Sequence, residues 1–390
     1  MRCALVIPTR NAGAHLDRLL PALAAQRRQP DSILVVDSRS SDDTVERFRA
    51  FGARVEVIEP ASFNHGGTRR WASQQVEADA LIYLTQDAIP ASPDSFANLL
   101  DELYAEADIG VAYGRQLPHP GAGLLGAQAR RFNYPPESRS KRLADASELG
   151  IKTCFSSDSF SAYRSDALAA VGGFPEDVIG SEDAYVAARL LQAGYAVRYA
   201  ASAEVYHSHD YRLLEEFRRY FDIGVFYGRE RWIRAAFGGA GGEGKRYVLA
   251  EIQALRAAGA LYRVPEIALR SAFKRSATAL ASWNATCRSP SSAASACFQA
   301  TGSEHHDLQE VLPHETHPPH ARHARPGRMQ HPRTDSRTGQ RHRGQRQACP
   351  GRTRQATAGD GAGARRGHPA DRPRCRGDAD PLGVQRRHHL

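Results

Sequence analysis

The chain has 390 residues, of which 41% are hydrophobic and 24% charged, with a formal net charge of +9. That charge is confined: after Lys274 there are 19 Arg, no Lys and nine acids, so the first 274 residues are close to neutral and the basic balance does not make the body a nucleic-acid or membrane-surface binder. The absence of any run of 18 or more apolar residues excludes a bilayer span, and with four of six cysteines in the basic tail the body has neither a disulfide framework nor a zinc set.

The first apolar run, CALVIPT (3–9), contains a proline and is followed by Arg10, so it reads as a buried strand and not as a signal peptide. HLDRLLPALAAQ (15–26) has helical periodicity, and SILVVDS (32–38) is the second strand. Ser40 or Ser41 is placed to cap the next helix, DDTVERFRAF, which Gly52 stops. RVEVIE is a third strand and ALIYLTQ (80–86) a fourth. A helix follows to about Ala107, then a fifth strand, IGVAYGRQL (109–117). This alternation predicts an α/β fold with a mostly parallel sheet covered on both faces. Residues 118–150 read as a loop-rich excursion and TCFSSDSFSAY (153–163) as a strand-like return. SEDAYVAARLLQAG is an amphipathic helix stopped by Gly194, and YAVRYAASAEVYHS is strand and turn. Residues 211–237 are helical, with Phe217, Tyr220, Phe221, Phe226, Tyr227 and Trp232 set among arginines.

Ligands of such sheets gather beyond the carboxyl ends of the strands, and Pro8, Thr9, Arg10, Asp37 and Asp87 all fall at predicted strand ends. Asp37 could accept from a pyrimidine N–H or a ribose hydroxyl, or cap the next turn. The first turn, PTRNAG, lacks the glycine spacing of a dinucleotide cradle. Asp87 suits a hard divalent cation bridging a diphosphate, or a helix start. In VYHSH (205–209) the histidines alternate on an extended segment, so one of His207 and His209 is expected to face a given site. Glu182 and Asp183 open a helix, where one carboxylate could serve as a general base kept ionised by the helix dipole; acids also favour first turns for purely local reasons. In FNHGGTRR (63–70) the two glycines permit close backbone approach. The helix start, Arg69 and Arg70 could hold phosphate oxygens, or the segment is a turn with surface arginines.

The order of these clusters over about residues 3–210 resembles family-2 glycosyltransferases of GT-A fold, and FNHGGTR, LTQDA and AYGRQLPH resemble the bacterial rhamnosyltransferase branch. The resemblance implies inverting transfer from a nucleotide sugar, dTDP-L-rhamnose, to a saccharide or lipid-linked saccharide acceptor, with Mg²⁺ or Mn²⁺ as cofactor and no nucleic acid as partner. It makes Thr9, Arg10 and Asp37 nucleotide contacts, Asp87 the last acid of an Asp-x-Asp motif, Asp183 the base, and His207 or His209 the late metal ligand. Thr85 stands where the family has the first acid, leaving one carboxylate fewer. The resemblance also implies a cytoplasmic protein, peripheral on the inner membrane, and the aromatic helix 211–237 could rest on an anionic leaflet or pack on the sheet.

The implied organisation is a transferase domain (1–210), a helical extension (211–274) and an Arg/His/Pro-rich tail (275–390). The tail holds a single Phe and a single Trp and cannot bury enough apolar surface to order itself. It reads either as a disordered basic arm or, the preferred reading, as a displaced reading frame: with permitted codons, residues 293–302 shifted by one base become a basic-aromatic peptide before a stop. Three other functions compete. A sugar-nucleotide nucleotidyltransferase would need a glycine-rich basic loop straight after the first strand. A nucleic-acid binder would rely on the tail alone. An inactive nucleotide-sugar-binding module would follow if the displaced frame removed a needed segment.

Overall fold

A computed structural model describes residues 1–178, 180–239 and 242–287, with side chains through Ala281. The chain divides into two units, Met1–Thr316 and His317–Leu390; the second, and with it the tail from residue 288 on, lies outside the described residues, whereas residues 275–287, read as the start of the tail, continue the helix Val264–Cys287 with Ala277 and Ala281 buried. Nine strands form one sheet: β1 (Cys3–Thr9), β2 (Ser32–Asp37), β3 (Arg54–Val57), β4 (Ala80–Leu84), β5 (Ile89–Pro90), β6 (Ile109–Leu117), β7 (Arg139–Lys141), β8 (Phe160–Arg164) and β9 (Ala196–Tyr206). Their order is β3-β2-β1-β4-β8-β6-β9-β5, with β7 also paired to β9.

The β-branched runs at the start of the chain form the parallel half, β3-β2-β1-β4, as the alternation predicts. The other half is mixed. Strand β8 is inserted antiparallel between β4 and β6, with Leu81 opposite Tyr163 and Ala112 opposite Ala162, whereas β6 and β9 run parallel. The consequence is positional: the start of β8 lies at the edge where β1, β2, β4, β6 and β9 end.

Period-two alternation splits the core into two layers. Leu5, Ile7, Val35, Ile82, Leu84 and Phe160 face one way and pack against Leu16, Leu19 and Leu23 of the helix Gly13–Ala24 and Phe96 and Leu99 of Ser95–Leu103. Val6, Val36, Tyr83, Tyr163 and Val197 face the other way, under Val186, Ala187 and Leu190 of the helix Glu182–Gln192. Each such large side chain contributes roughly 1.5–3 kcal/mol of burial. The shared strands therefore hold helices on both sides at a fixed distance from the carboxyl edge.

Three local expectations are corrected. Neither Ser40 nor Ser41 caps the helix Thr44–Ala50, because the Ser40 hydroxyl is spent on Asp37 and on the Asn11 N–H. The stretch 118–150 contains the helix Leu124–Asn133 and the strand β7. Residues 150–154 form a 3₁₀ turn before the strand begins at Phe160.

The aromatic segment breaks into two helices, Leu213–Arg229 and Arg231–Phe237, and its six aromatics are buried or half-buried. Phe217 meets Phe273 edge-on at 6.0 Å, and Trp232 meets Tyr185 at 5.5 Å. Glu216 joins this helix to Val264–Cys287 through Arg270 (2.9 Å) and Lys274 (2.8 Å). This segment is thus a packing surface and does not present its rings to a leaflet. No helix among the described residues is long and apolar enough to cross a membrane.

Candidate active site

The loops after β1 and β2 are knitted together. Asp37 is fully buried and accepts from the Thr9 hydroxyl (2.9 Å), the Ser40 hydroxyl (2.6 Å) and the Ser40 N–H (2.8 Å). Asn11 and Ser41 bond across the gap, and Asp42 and Thr44 accept from the N–H groups of Gly13 and Ala12 at the start of the first helix. The backbone of Arg10 is clamped at both its N–H (2.8 Å) and its carbonyl (3.0 Å) by the side-chain amide of Gln86, one residue before Asp87. Asn11, Arg39 and Ser181 are the three non-glycine residues with positive φ among the described residues, and each begins a loop or helix at this edge. Left-handed conformations at such residues persist where the surroundings over-determine them, a hallmark of functional sites.

Asp87, His207 and His209 converge at the ends of β4 and β9. Asp87 Oδ2 is 3.3 Å from His207 Nε2 and 3.4 Å from His209 Nε2, and the two imidazole nitrogens are 3.1 Å apart. Both histidines face the carboxylate, which corrects the expectation that only one would. Residues two apart on an extended segment share a face, so the HSH spacing itself puts both imidazoles on one side, where residues 207 and 209 follow the end of β9 at Tyr206. The tautomer of His207 follows from its other nitrogen: Nδ1 donates to Gln116 Oε1 (2.9 Å), an oxygen that also accepts from Arg130, while Gln116 Nε2 donates to Ser157 (2.8 Å). With Nδ1 engaged by Gln116, Nε2 is the nitrogen turned toward Asp87. Burial opposes the charge on Asp87, but His207 first, then His209 and the Thr85 hydroxyl, hold it below the usual carboxylate range. Burial and then His207 lower the His209 imidazole to about 3, which keeps it a neutral nitrogen donor. Two imidazoles and one carboxylate, all within 4.8 Å of one another, make a donor set that fits a divalent cation with coordination positions left open.

The third cluster lies where the helix Glu182–Gln192 begins. Arg69 is only 4% exposed, and its guanidinium pairs with Glu182 (2.9 Å) and Asp158 (3.5 Å). Asp158 in turn accepts from Ser161 and Tyr163, each at 2.7 Å. Asn64 caps the helix His65–Gln74 by accepting from the Gly67 N–H (2.8 Å). A Cβ at Gly66 would overlap the Pro175 carbonyl, so that glycine serves close packing within the chain. Arg69 thus faces two carboxylates and not a phosphate. Arg70 pairs with Glu176 (3.1 Å) and lines a cavity of about 540 Å³ with Arg2 and Glu77, at the amino ends of β1 and β4 and so away from the site.

Glu182 is 6% exposed and tied to Arg69, which outweighs its burial and holds its charge; it positions the helix. Asp183 is half-buried and accepts from the Ala184 N–H (2.7 Å). Its carboxyl is pushed above the usual range by burial, then by Glu182 and Asp158. The helix dipole was expected to lower it; the two neighbouring acids outweigh that effect. Asp158 and Gln116 were missed in the sequence. The cue for Asp158 was a lone acid between serines ahead of a strand, and it is informative only once that strand runs antiparallel.

The sequence profile of glycosyl transferase family 2 matches residues 4–172. The chain is 47% identical over 257 residues to O-antigen chain rhamnosyltransferase RfbN of Salmonella typhimurium, covering 65% of this chain and 82% of that one. It is 46% identical over 253 residues to O-antigen chain rhamnosyltransferase WbaN of Salmonella anatum, covering 64% and 80%. Mannosyltransferase PcManGT from Pyrobaculum calidifontis shares the fold, with a TM-score of 0.51 at 18% identity over 72% of this chain and 87% of that one. The chain belongs to glycosyl transferase family 2, and its curled α/β sheet is the GT-A arrangement.

Replacing Arg69 by Met would leave two buried acids unpaired. The expected cost is about 3–5 kcal/mol of stability, read as a lower urea midpoint at unchanged slope. A midpoint within error of the parent would remove Arg69 from the centre of the cluster.

Proposed function

We propose that this enzyme is an inverting rhamnosyltransferase that moves L-rhamnose from dTDP-L-rhamnose to a saccharide acceptor, free or lipid-linked, in the synthesis of an O-antigen-like surface polysaccharide. The sugar and the pathway rest on the likeness to the two Salmonella rhamnosyltransferases. The mechanism rests on one observation: the Asp87–His207–His209 trio and the Asp183 carboxyl occupy the same sheet edge, linked through Gln116, Ser157, Asp158 and Arg69.

In this reading Thr9, Arg10 and the loop anchored by Asp37 receive the nucleotide. Asp87, His207 and His209 would hold the divalent cation, which when bound supplies positive charge to the diphosphate. Two nitrogen donors suit Mn²⁺ better than Mg²⁺, which prefers an all-oxygen shell. Asp183 takes the proton of the acceptor hydroxyl as its oxygen attacks the anomeric carbon. Its raised pKa makes it the stronger base, at the cost of being ionised only in less acid solution. No nucleophile of the chain is required, so one displacement inverts the anomeric centre.

A donor screen reading nucleoside diphosphate release should show turnover with dTDP-L-rhamnose, abolished by EDTA and restored by Mn²⁺ more fully than by Mg²⁺. Turnover only with UDP- or GDP-sugars would refute the donor, and indifference to EDTA the metal. The pH profile carries its own sign. A base with a raised pKa is lost on acidification, so kcat/KM should fall as pH drops through a value well above the ~3.9 of an ordinary Asp. Asp183→Asn should lower kcat about 10²–10⁴-fold and abolish that limb.

A lipid-linked acceptor would bring the enzyme to the cytoplasmic face of the inner membrane. The surface we assign to that contact centres on Leu261 and Tyr262, 49% and 81% exposed. Replacing both apolar residues by Ser should reduce co-sedimentation with phosphatidylglycerol vesicles severalfold; equal sedimentation would rule this surface out.

A further inference from the structure

Arg219 projects from the helix Leu213–Arg229, beyond the part of the chain matched by the family profile. Its guanidinium lies over the Tyr211 ring, 5.8 Å from the centroid, and Tyr211 stacks on His209 at 5.1 Å and 28°. The cation is thus carried to the metal site through one aromatic layer, because His209 is itself 3.4 Å from Asp87. The charge of Arg219 is also felt at Asp183 and Glu182. Arg219 is exposed to solvent. Three other cations near the site are committed elsewhere: Arg69 to Glu182 and Asp158, Arg130 to Gln116, Arg18 to His119.

We propose that Arg219 binds the β-phosphate of the donor's diphosphate and stabilises it as the leaving group. The inference rests on the transferase reading above. In the step, the bond from the anomeric carbon to the diphosphate oxygen breaks and its electron pair stays on that oxygen. The acceptor oxygen bonds to the carbon, and the acceptor proton passes to Asp183. The departing diphosphate gains one negative charge, and Arg219, fully protonated throughout, donates hydrogen bonds to it. The Tyr211 ring holds the guanidinium plane in place, which favours Arg over Lys at this position.

The test is calorimetric binding of dTDP and dTMP to the full chain with Mn²⁺, comparing the parent with Arg219→Gln and Arg219→Lys, each checked for an unchanged circular dichroism spectrum. The β-phosphate assignment predicts that Arg219→Gln weakens dTDP about tenfold or more and dTMP less than about twofold, with Arg219→Lys in between. Equal dTDP affinity in parent and Arg219→Gln overturns the proposal, as does a parallel loss for dTMP or a spectrum showing that both variants are misfolded, which would make the residue structural. If the parent binds UDP or GDP in place of dTDP, the donor reading fails, and the same comparison with that diphosphate and its monophosphate decides Arg219 separately.

Discussion

Asp87 meets His207 and His209 because a two-residue strand, Ile89–Pro90, pairs antiparallel with the end of β9, placing Ile89 opposite Tyr206. Extending that register by two residues brings Asp87 level with Ser208, flanked by the two histidines. The pairing is reinforced where β9 lies parallel to β6, with Leu117 opposite Tyr206 and a register shift at Gly114–Arg115. The shift matters, since β6 also delivers Gln116 to the Nδ1 of His207. Sheet register, which is enforced by two buried faces, therefore sets a geometry that flexible loops could not hold to within a few tenths of an ångström.

The second organising feature is electrostatic. Three carboxylates, Asp158, Glu182 and Asp183, crowd around one guanidinium, Arg69. One cation cannot fully neutralise three acids in a water-poor setting. Glu182, with the short contact, stays charged, and Asp183, which Arg69 favours least, is pushed toward the protonated form. In the proposed mechanism such unequal sharing separates a structural acid from the reactive one. The fold thus produces two electrostatic environments on one edge: two imidazoles and a carboxylate that fit a cation, and a carboxyl pushed toward its protonated form.

Much of this edge was legible in the sequence, because the ends of parallel strands can be read from the alternation of β-branched runs and amphipathic helices. That reasoning brought Thr9, Asp37 and Asp87 together. It was less informative where spacing does not encode contact. Arg69 looked like a phosphate ligand because its partners, at 158 and 182, are remote in sequence and its burial leaves no local trace. Asp158 was passed over because β8 runs against its neighbours, which turns the start of a strand into a site position. The histidines are expected one to a face, yet residues two apart on an extended segment share one, and both meet Asp87. The aromatics of 211–237 suggest a membrane face by composition alone, whereas Arg219 of that segment is set apart by its place over the Tyr211 ring, which composition does not show.

The claim on which the mechanism depends is that the ends of β4 and β9 form a cation site built from two imidazoles and one carboxylate. Pulsed electron paramagnetic resonance of the Mn²⁺-loaded enzyme, with histidine labelled by ¹⁵N, measures this directly. Two coupled imidazole nitrogens are predicted, reduced to one by either His207→Ala or His209→Ala. A spectrum showing oxygen coordination alone, unchanged by both substitutions, would contradict it.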